Sequence, residues 1–157
     1  MPDGSPPESP DPTAPERKEW MGVLAKAPAE QLAAAVDDLG NLPAFDWLRA
    51  PEFGSVMVRG RAGGTGAPFN LGEMTVTRCA LQLDGGEVGH AYIAGRDRTK
   101  AEQAALCDAL LQGPRADEVQ ARVIEPLAAD LARVRGERAG KAAGTKVDFF
   151  TLVRGED

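Results

Sequence analysis

Residues 73–94 read EMTVTRCALQLDGGEVGHAYIA, and this stretch decides the fold. Apolar side chains recur along both of its halves, and Asp84-Gly85-Gly86 lies between them. Two glycines after an acidic residue supply the positive backbone angles that a tight hairpin turn needs. The stretch therefore predicts two antiparallel strands, Glu73–Leu83 and Val88–Ala94.

Strand patterns continue on both sides of this hairpin. Upstream, Phe45–Arg49 and Ser55–Arg61 are predicted strands, and ten of the 18 glycines fall between positions 54 and 95. Near the C-terminus, Lys146–Val153 carries apolar residues on both faces, which is typical of a strand covered on both sides. The sequence thus predicts a mainly antiparallel sheet of about five strands.

Helical patterns precede the strands. Thr13-Ala14-Pro15-Glu16 fits a capping box with proline in the first turn, and it starts a helix that is interrupted at Ala27-Pro28. A second helix, Ala29–Leu39, stops at Gly40. We therefore expect an N-terminal helical hairpin.

Two or three further helices are expected after the hairpin of strands. Asp97 can cap a helix that runs to Gln112, and Pro126 interrupts a later helical region. A connector rich in Gly and Ala, residues 136–144, leads to the last strand. Helices at both ends and consecutive strands between them predict an α+β sandwich.

The chain divides into a tail and one domain. Residues 1–15 hold six of the 12 prolines and very little apolar surface, so they are expected to form a flexible, disordered tail. Residues 16–157 are long enough for a single α+β domain with a real core.

Charge and composition exclude several function classes. Four of the 24 acidic residues precede the first basic one, Arg17, so the chain from Arg17 onward carries only −2 of the formal charge of −6. Positions 59–100 hold six basic and four acidic residues, which is too weak a bias for a nucleic-acid surface but sufficient for a small polyanion or an acidic partner. No apolar run could span a membrane and no signal core is present, so a cytoplasmic location is expected.

The metal-ligating side chains do not form a set. Cys79 and Cys107 lie 28 residues apart without a Cys-x-x-Cys pair, and a lone His90 cannot complete a zinc site. Both cysteines are expected to be buried thiols in a reducing compartment. The sequence therefore predicts neither a metal nor a cofactor in this chain.

A glycine-rich loop begins at the end of the second strand, as Arg61-Ala62-Gly63-Gly64-Thr65-Gly66, within a connection that extends to Gly72. Strands flank it on both sides, so it is not the strand-to-helix loop of a nucleotide fold. Two interpretations remain open. Arg61, Gly63, Gly64, Thr65 and Gly66 could form an anion nest, or a sharp turn whose backbone closely contacts another subunit.

Two further arginines are candidates for the same role. Arg78, inside a strand, could reach the loop or pair with Glu73 or another acid. Arg96 lies where the fourth strand meets a helix, and it could bind an anion there or remain solvated beside the cap residue Asp97. His90 has no neighbouring base or nucleophile, and no pair of carboxylates has a diagnostic spacing. We find no catalytic constellation.

The C-terminal strand carries the main aromatic concentration. Phe149 and Phe150 are adjacent, so in a strand they project to opposite faces. Core packing accounts for such a pair, and so does a subunit interface that extends to Arg154.

Five segments in order resemble the G subunit family of the bacterial carbon–phosphorus lyase core complex. They are Arg61-Ala-Gly-Gly-Thr-Gly66, Thr75-Val-Thr-Arg78, Gly95-Arg-Asp97, Ala101–Leu110 and Lys146–Gly155. The resemblance runs from about Arg17 to Glu156 and leaves the tail out. Each motif alone is weak, whereas their ordered combination is specific.

The resemblance implies a role in phosphonate degradation. With the H, I and L subunits, this family supports transfer of methylphosphonate to the ribose C1 of ATP, which releases adenine and forms α-D-ribose 1-methylphosphonate 5-triphosphate. The I subunit is taken to carry the nucleosidase-like chemistry, and the J subunit the radical cleavage of the carbon–phosphorus bond. The resemblance places no catalytic residue on a numbered position here.

Three functions are therefore compared. The preferred one is a non-catalytic but required subunit that supports the I subunit through its sheet, the Arg61–Gly72 loop and the Phe149–Arg154 strand, with ATP as a substrate of the complex. The alternative is a small phosphate-, phosphonate- or nucleotide-binding module in which Arg61, Arg78 and Arg96 converge. A free-standing enzyme that uses His90 as base is the third.

Overall fold

The structure, a computed structural model, describes the backbone of residues 14–61 and 66–154 and the side chains of residues 14–61, 66–69 and 71–141. Helices α1 (Ala14–Lys26) and α2 (Ala29–Leu39) are separated by Ala27-Pro28. The amide of Gly40 donates to the Val36 carbonyl and closes α2. The predicted helical hairpin is confirmed. Most of the predicted tail, residues 1–13, lies outside the described residues.

The described strands form one antiparallel sheet. Its order is β1 (Phe45–Arg61), β2 (Pro68–Leu83) and β3 (Val88–Ala94). The Gly86 amide donates to the Leu83 carbonyl at 2.9 Å, and Gly86 has a φ of 99°, so the turn predicted at Asp84-Gly85-Gly86 is confirmed.

The two upstream strands need correction. Phe45–Arg49 and Ser55–Arg61 are the halves of β1, which continues through an irregular stretch around Pro51. Since β1 is an edge strand, a residue without an N–H is tolerated there. In addition, β2 begins at Pro68, because Pro68 and the residues up to Gly72 pair with β1 instead of forming the predicted loop.

Helix α3 (Arg98–Leu110) follows β3, and the Asp97 carboxylate caps it by accepting the Lys100 amide at 2.9 Å. Then come α4 (Ala116–Val119), a π-helical turn (Gln120–Ile124) and α5 (Glu125–Arg154). The helix succession expected near Pro126 is confirmed. Pro126 has no N–H to donate, and it lies where the π-helical turn passes directly into α5.

The C-terminal part of the chain also needs correction. The predicted connector (136–144) and the predicted strand Lys146–Val153 both lie within α5. Alanine, lysine, arginine and glutamate favour helix strongly enough to continue it past isolated glycines, and a short apolar run does not by itself distinguish strand from helix. The described sheet therefore has three strands, counting the irregular β1 as one, and the α+β class with its N-terminal helical hairpin is confirmed.

The helices cover one face of the sheet. Alternate residues of β2 and β3, among them Cys79, Leu81 and Ile93, pack with the helices in one buried cluster. Helix α3 approaches β3 so closely that a Cβ on Gly89 would overlap the carbonyl oxygen of Ala105. The opposite face of the sheet carries no helix in the described part of the chain, and we call it the open face.

Asp108 of α3 is fully buried and joins three elements. Its carboxylate accepts hydrogen bonds from Arg17 Nε at 3.2 Å and Nη2 at 2.8 Å, from Trp20 Nε1 at 2.8 Å, and from the His90 amide at 2.9 Å. A buried carboxylate is stable only when its acceptor positions are filled in this way. Asp108 therefore ties α1 and α3 to β3.

The β1–β2 hairpin extends beyond the rest of the sheet. The last residue of β3, Ala94, lies opposite Val76, whereas β2 starts eight residues earlier at Pro68. Residues 56–61 and 68–74 thus form a two-stranded ribbon, which we call the arm. At strand geometry its length is about 20 Å.

Candidate functional site

The exposed apolar side chains concentrate on the sheet. Nine large hydrophobic residues of the described chain are exposed, and eight of them belong to β1, β2 or β3. They are Trp47, Leu48, Phe53, Met57, Phe69, Leu71, Met74 and Tyr92, and the ninth is Leu42 in the α2–β1 connection. Leu48, Met74 and Tyr92 lie on the open face, whereas Trp47 and Phe53 lie opposite residues of the helix-covered face. Exposed apolar surface of this kind marks interaction sites on soluble proteins.

The open face combines apolar surface with the ion pairs that Glu52 forms with Arg49 and Arg78. Leu48, Arg78, His90 and Tyr92 line a shallow depression there. Arg78 Nε donates to Glu52 Oε1 at 2.8 Å, and this contact raises the pKa of Arg78, since the neighbouring carboxylate stabilises the cation. The expected pairing of Arg78 with an acid therefore occurs, with Glu52 instead of Glu73.

The arm carries the most exposed large apolar residue of the described chain. The Leu71 side chain is 62% exposed and lies against Gly60, where an added Cβ would meet Leu71 Cδ1 at 3.0 Å. Phe69 lies opposite Gly60, and Met74 opposite Val56. Because Gly54 and Gly60 share a face of β1, and Gly54 borders Arg78, these apolar residues extend the open face onto the arm.

The glycine-rich loop lies at the tip of the arm. Arg61 ends β1, opposite Pro68, and it is exposed. Gly63, Gly64 and Thr65 lie outside the described residues, whereas Gly66 follows them just before β2. The proposed nest or subunit contact at this loop stays a prediction.

Arg96 belongs to a different part of the surface. Its guanidinium lies 5.5 Å from the ring centre of Phe53, and that of Arg98 lies 4.3 Å from the same ring. Thr77 holds the turn between β3 and α3, because its hydroxyl donates to the Gly95 carbonyl at 2.7 Å. The cap predicted at Asp97 is confirmed, and Arg96 stacks on an aromatic ring beside it.

The three candidate arginines do not converge. Arg78 lies on the open face, whereas Arg96 stacks on Phe53, which belongs to the helix-covered face. Arg61 lies nine residues along β1 from Glu52, the partner of Arg78, which corresponds to about 30 Å at strand geometry. One small phosphate therefore cannot contact all three.

No catalytic group emerges among the described residues. Burial is the main cause that raises the pKa of the Cys79 thiol to about 11 and that of Cys107 to about 12, so both predicted buried thiols are confirmed and are not nucleophiles near neutral pH. Among the side chains that the structure describes, those of residues 14–61, 66–69 and 71–141, no group of three His, Cys, Asp or Glu is placed to hold a metal. No described helix is both long and apolar enough to cross a membrane.

Comparison with known proteins decides the family. The sequence model of the family described as phosphonate metabolism protein PhnG matches residues 15–155. A protein of Rhizobium meliloti (strain 1021), named alpha-D-ribose 1-methylphosphonate 5-triphosphate synthase subunit PhnG, is 44% identical over 142 residues, covering 90% of this chain and 91% of that protein. The chain belongs to the PhnG family.

This membership confirms the resemblance that the ordered motifs indicated. The PhnG family match spans every described element, from α1 to α5. Phe149, Phe150 and Arg154 fall inside it, on the backbone of α5, but their side chains lie outside the described residues. Their interface role stays a prediction, now on a helix instead of a strand.

Sequence reasoning missed two features of this PhnG-family chain. One is Asp108, a lone acid between the buried residues Cys107 and Ala109. An acid on an otherwise apolar helix stripe signals a buried pair. The other is the arm, which the glycines and Pro68 led us to interpret as a loop.

Proposed function

We propose that this chain is the PhnG-type subunit of an alpha-D-ribose 1-methylphosphonate 5-triphosphate synthase. The observation that carries the proposal is the 44% identity to a protein with that name over nearly the full length of both chains. Its reaction would transfer methylphosphonate to the ribose C1 of ATP with release of adenine.

We propose further that the subunit is structural. The buried ionisable groups that could have served chemistry are engaged in the fold: Asp108 is saturated with hydrogen bonds, and the two cysteines are protonated. ATP would be a substrate of the complex, and this chain would bring no cofactor of its own.

The partners would be the H, I, J and L subunits of the carbon–phosphorus lyase system, chiefly the I subunit. The open face and the arm support this, since exposed large apolar side chains such as Leu48, Leu71 and Tyr92 are typical of a surface that another protein covers. Two unpaired thiols suit the cytoplasm, where we propose that the complex acts.

Co-expression with a candidate I subunit tests the proposal. The wild-type chain is expected to co-purify with it, whereas Leu71→Asp on the arm is expected to release it, because a buried charge at an interface is strongly unfavourable. Leu42→Asp is the matched control, since Leu42 is similarly exposed but lies off the sheet. If the Leu71→Asp variant still co-purifies with the I subunit, the interface does not include the arm.

The non-catalytic role needs its own measurement. The purified chain alone should release no adenine from ATP, with or without methylphosphonate. Turnover by a homogeneous sample would contradict it, and so would loss of synthase activity on His90→Ala in an intact complex.

A further inference from the structure

The outer edge of β1 has backbone groups that point away from the sheet. The Gly95 amide donates to the Thr75 carbonyl at 2.8 Å, so the Thr75 backbone faces β3. Ser55 lies opposite Thr75 and must therefore direct its own N–H and C=O outward. The register is unbroken from Glu52 to Val58, which gives Phe53 and Met57 the same outward direction.

The other edge of the sheet is closed by side chains. The outward amide of His90 donates to Asp108, and the outward carbonyl of Val88 accepts from Arg17 Nη2 at 3.3 Å and from Gln112 Nε2 at 2.8 Å. No comparable bond reaches Phe53, Ser55 or Met57 from any described residue. Among the described residues, side chains therefore occupy the β3 edge at Val88 and His90, whereas the β1 edge from Phe53 to Met57 is free to accept another strand.

Charge is distributed unequally between the two faces at this edge. Arg59 and Arg61 lie on the helix-covered side of β1, the side that also carries Phe53 and Met57. Arg96 and Arg98 stack on Phe53 at the same side. None of these four arginines has a carboxylate partner in the described part of the chain. The open-face side of the same segment is apolar or glycine, with Gly54, Val56, Val58 and Gly60.

We propose that residues 53–61 of β1 accept an extended segment of a partner subunit as a fourth strand, and that this segment alternates acidic and apolar residues. The acidic side chains would lie beside the arginines and the apolar ones beside the valines. Main-chain hydrogen bonds at a free edge give affinity, and alternate side chains give specificity. The inference rests on the proposed function.

Three observations favour this occupant. A two-stranded ribbon is only marginally stable alone, so the arm gains from a third strand. The four arginines have no carboxylate partner among the described residues, and an acidic segment would complement their charge. A second copy of this chain would instead bring a second set of the same arginines to one ribbon, which is unfavourable.

Ser55→Pro tests the hydrogen bonding. Proline removes the outward N–H and obstructs strand addition, but it removes no bond to β2, because the Ser55 N–H does not point there. In the complex with the co-expressed partner subunits, we expect the affinity of Ser55→Pro to fall about tenfold or more. Ser55→Ala keeps the amide and should bind like the wild type. Circular dichroism and thermal unfolding of both free variants verify the fold.

Charge reversal tests the chemistry of the segment. Arg59→Glu combined with Arg61→Glu should weaken binding, and added salt should weaken wild-type binding more than that of this variant. Arg138→Glu is the control, because Arg138 is an exposed arginine on α5, away from the sheet.

The outcomes separate the two proposals. Equal binding by Ser55→Pro and Ser55→Ala overturns strand addition but leaves the subunit role intact, whereas failure of the wild type to bind any partner overturns both. A dimer of the chain alone that Ser55→Pro abolishes identifies a second copy as the occupant and also overturns the proposal. Unchanged binding after the double charge reversal refutes an acidic segment.

Discussion

Replacing Asp108 by asparagine should destabilise the fold more than any other change of a single charge. The carboxylate accepts four hydrogen bonds, and the isosteric amide offers one acceptor oxygen and one donor nitrogen. Whichever way the amide turns, its NH₂ faces donors. If the NH₂ group faces Arg17 Nη2, the His90 amide also loses its acceptor. If the NH₂ group faces Arg17 Nε, Trp20 Nε1 loses its acceptor instead.

The cost follows from the burial of those donors. Each unsatisfied buried donor costs about 1–3 kcal/mol, and breaking a buried ion pair about 3–5 kcal/mol. The Arg17 side chain is 32% exposed and can turn partly to water, so we expect a total loss in the lower half of the ion-pair range, about 3–4 kcal/mol.

Urea unfolding followed by circular dichroism measures this loss. At a slope of about 1–3 kcal/mol per molar urea, the midpoint should fall by at least about 1 M with an unchanged slope. Asp37→Asn, at an exposed acid of α2, is the control and should shift the free energy of unfolding by no more than about 0.5 kcal/mol. A loss below about 1 kcal/mol for Asp108→Asn would show that Arg17 and Trp20 find other partners, and the reasoning would be wrong.

Two further predictions concern packing and titration. Gly89→Ala should cost about 1–3 kcal/mol or more, visible as a lower melting temperature, because its methyl group overlaps the Ala105 carbonyl and forces α3 away from β3; an unchanged melting temperature would contradict the close approach. Thiol reagents should label neither Cys79 nor Cys107 in the native protein at pH 7. The free energy of unfolding should fall as the pH rises from about 9 towards 11. In this range the thiols of the unfolded chain ionise, whereas those of the folded chain, with pKa values of about 11 and about 12, stay protonated longer. Rapid native labelling would refute burial of the thiols.

The parts of the fold that the sequence predicted are those with local signals. Pro28 and Gly40 delimit α2, and Asp97 caps α3. The turn at Asp84-Gly85-Gly86 is closed by a hydrogen bond between residues that are only three positions apart. Such signals act through backbone angles and caps that neighbouring residues determine.

The remaining features depend on contacts between distant residues. Asp108 indicates a buried acid by its apolar neighbours, but its partner Arg17 lies 91 positions away and no local signal identifies it. In the arm, Pro68 and Gly72 resemble loop residues, and only their pairing with β1 makes them part of a strand. The candidate arginines shared a charge type, but Arg78 lies on the other face from Arg61 and Arg96, and strand length separates Arg61 from the rest by a distance that composition does not encode.

The long separation between Arg17 and Asp108 also affects synthesis. Of the described elements, helix α1 leaves the ribosome first, yet Trp20 and Arg17 acquire their acceptor only after the nascent chain has been extended through β3 and most of α3. Until then the apolar side of α1 lacks its final neighbours. An element that is made early is consequently among the last to be fixed, and a chaperone that acts on the emerging polypeptide would meet this helix before the other described elements.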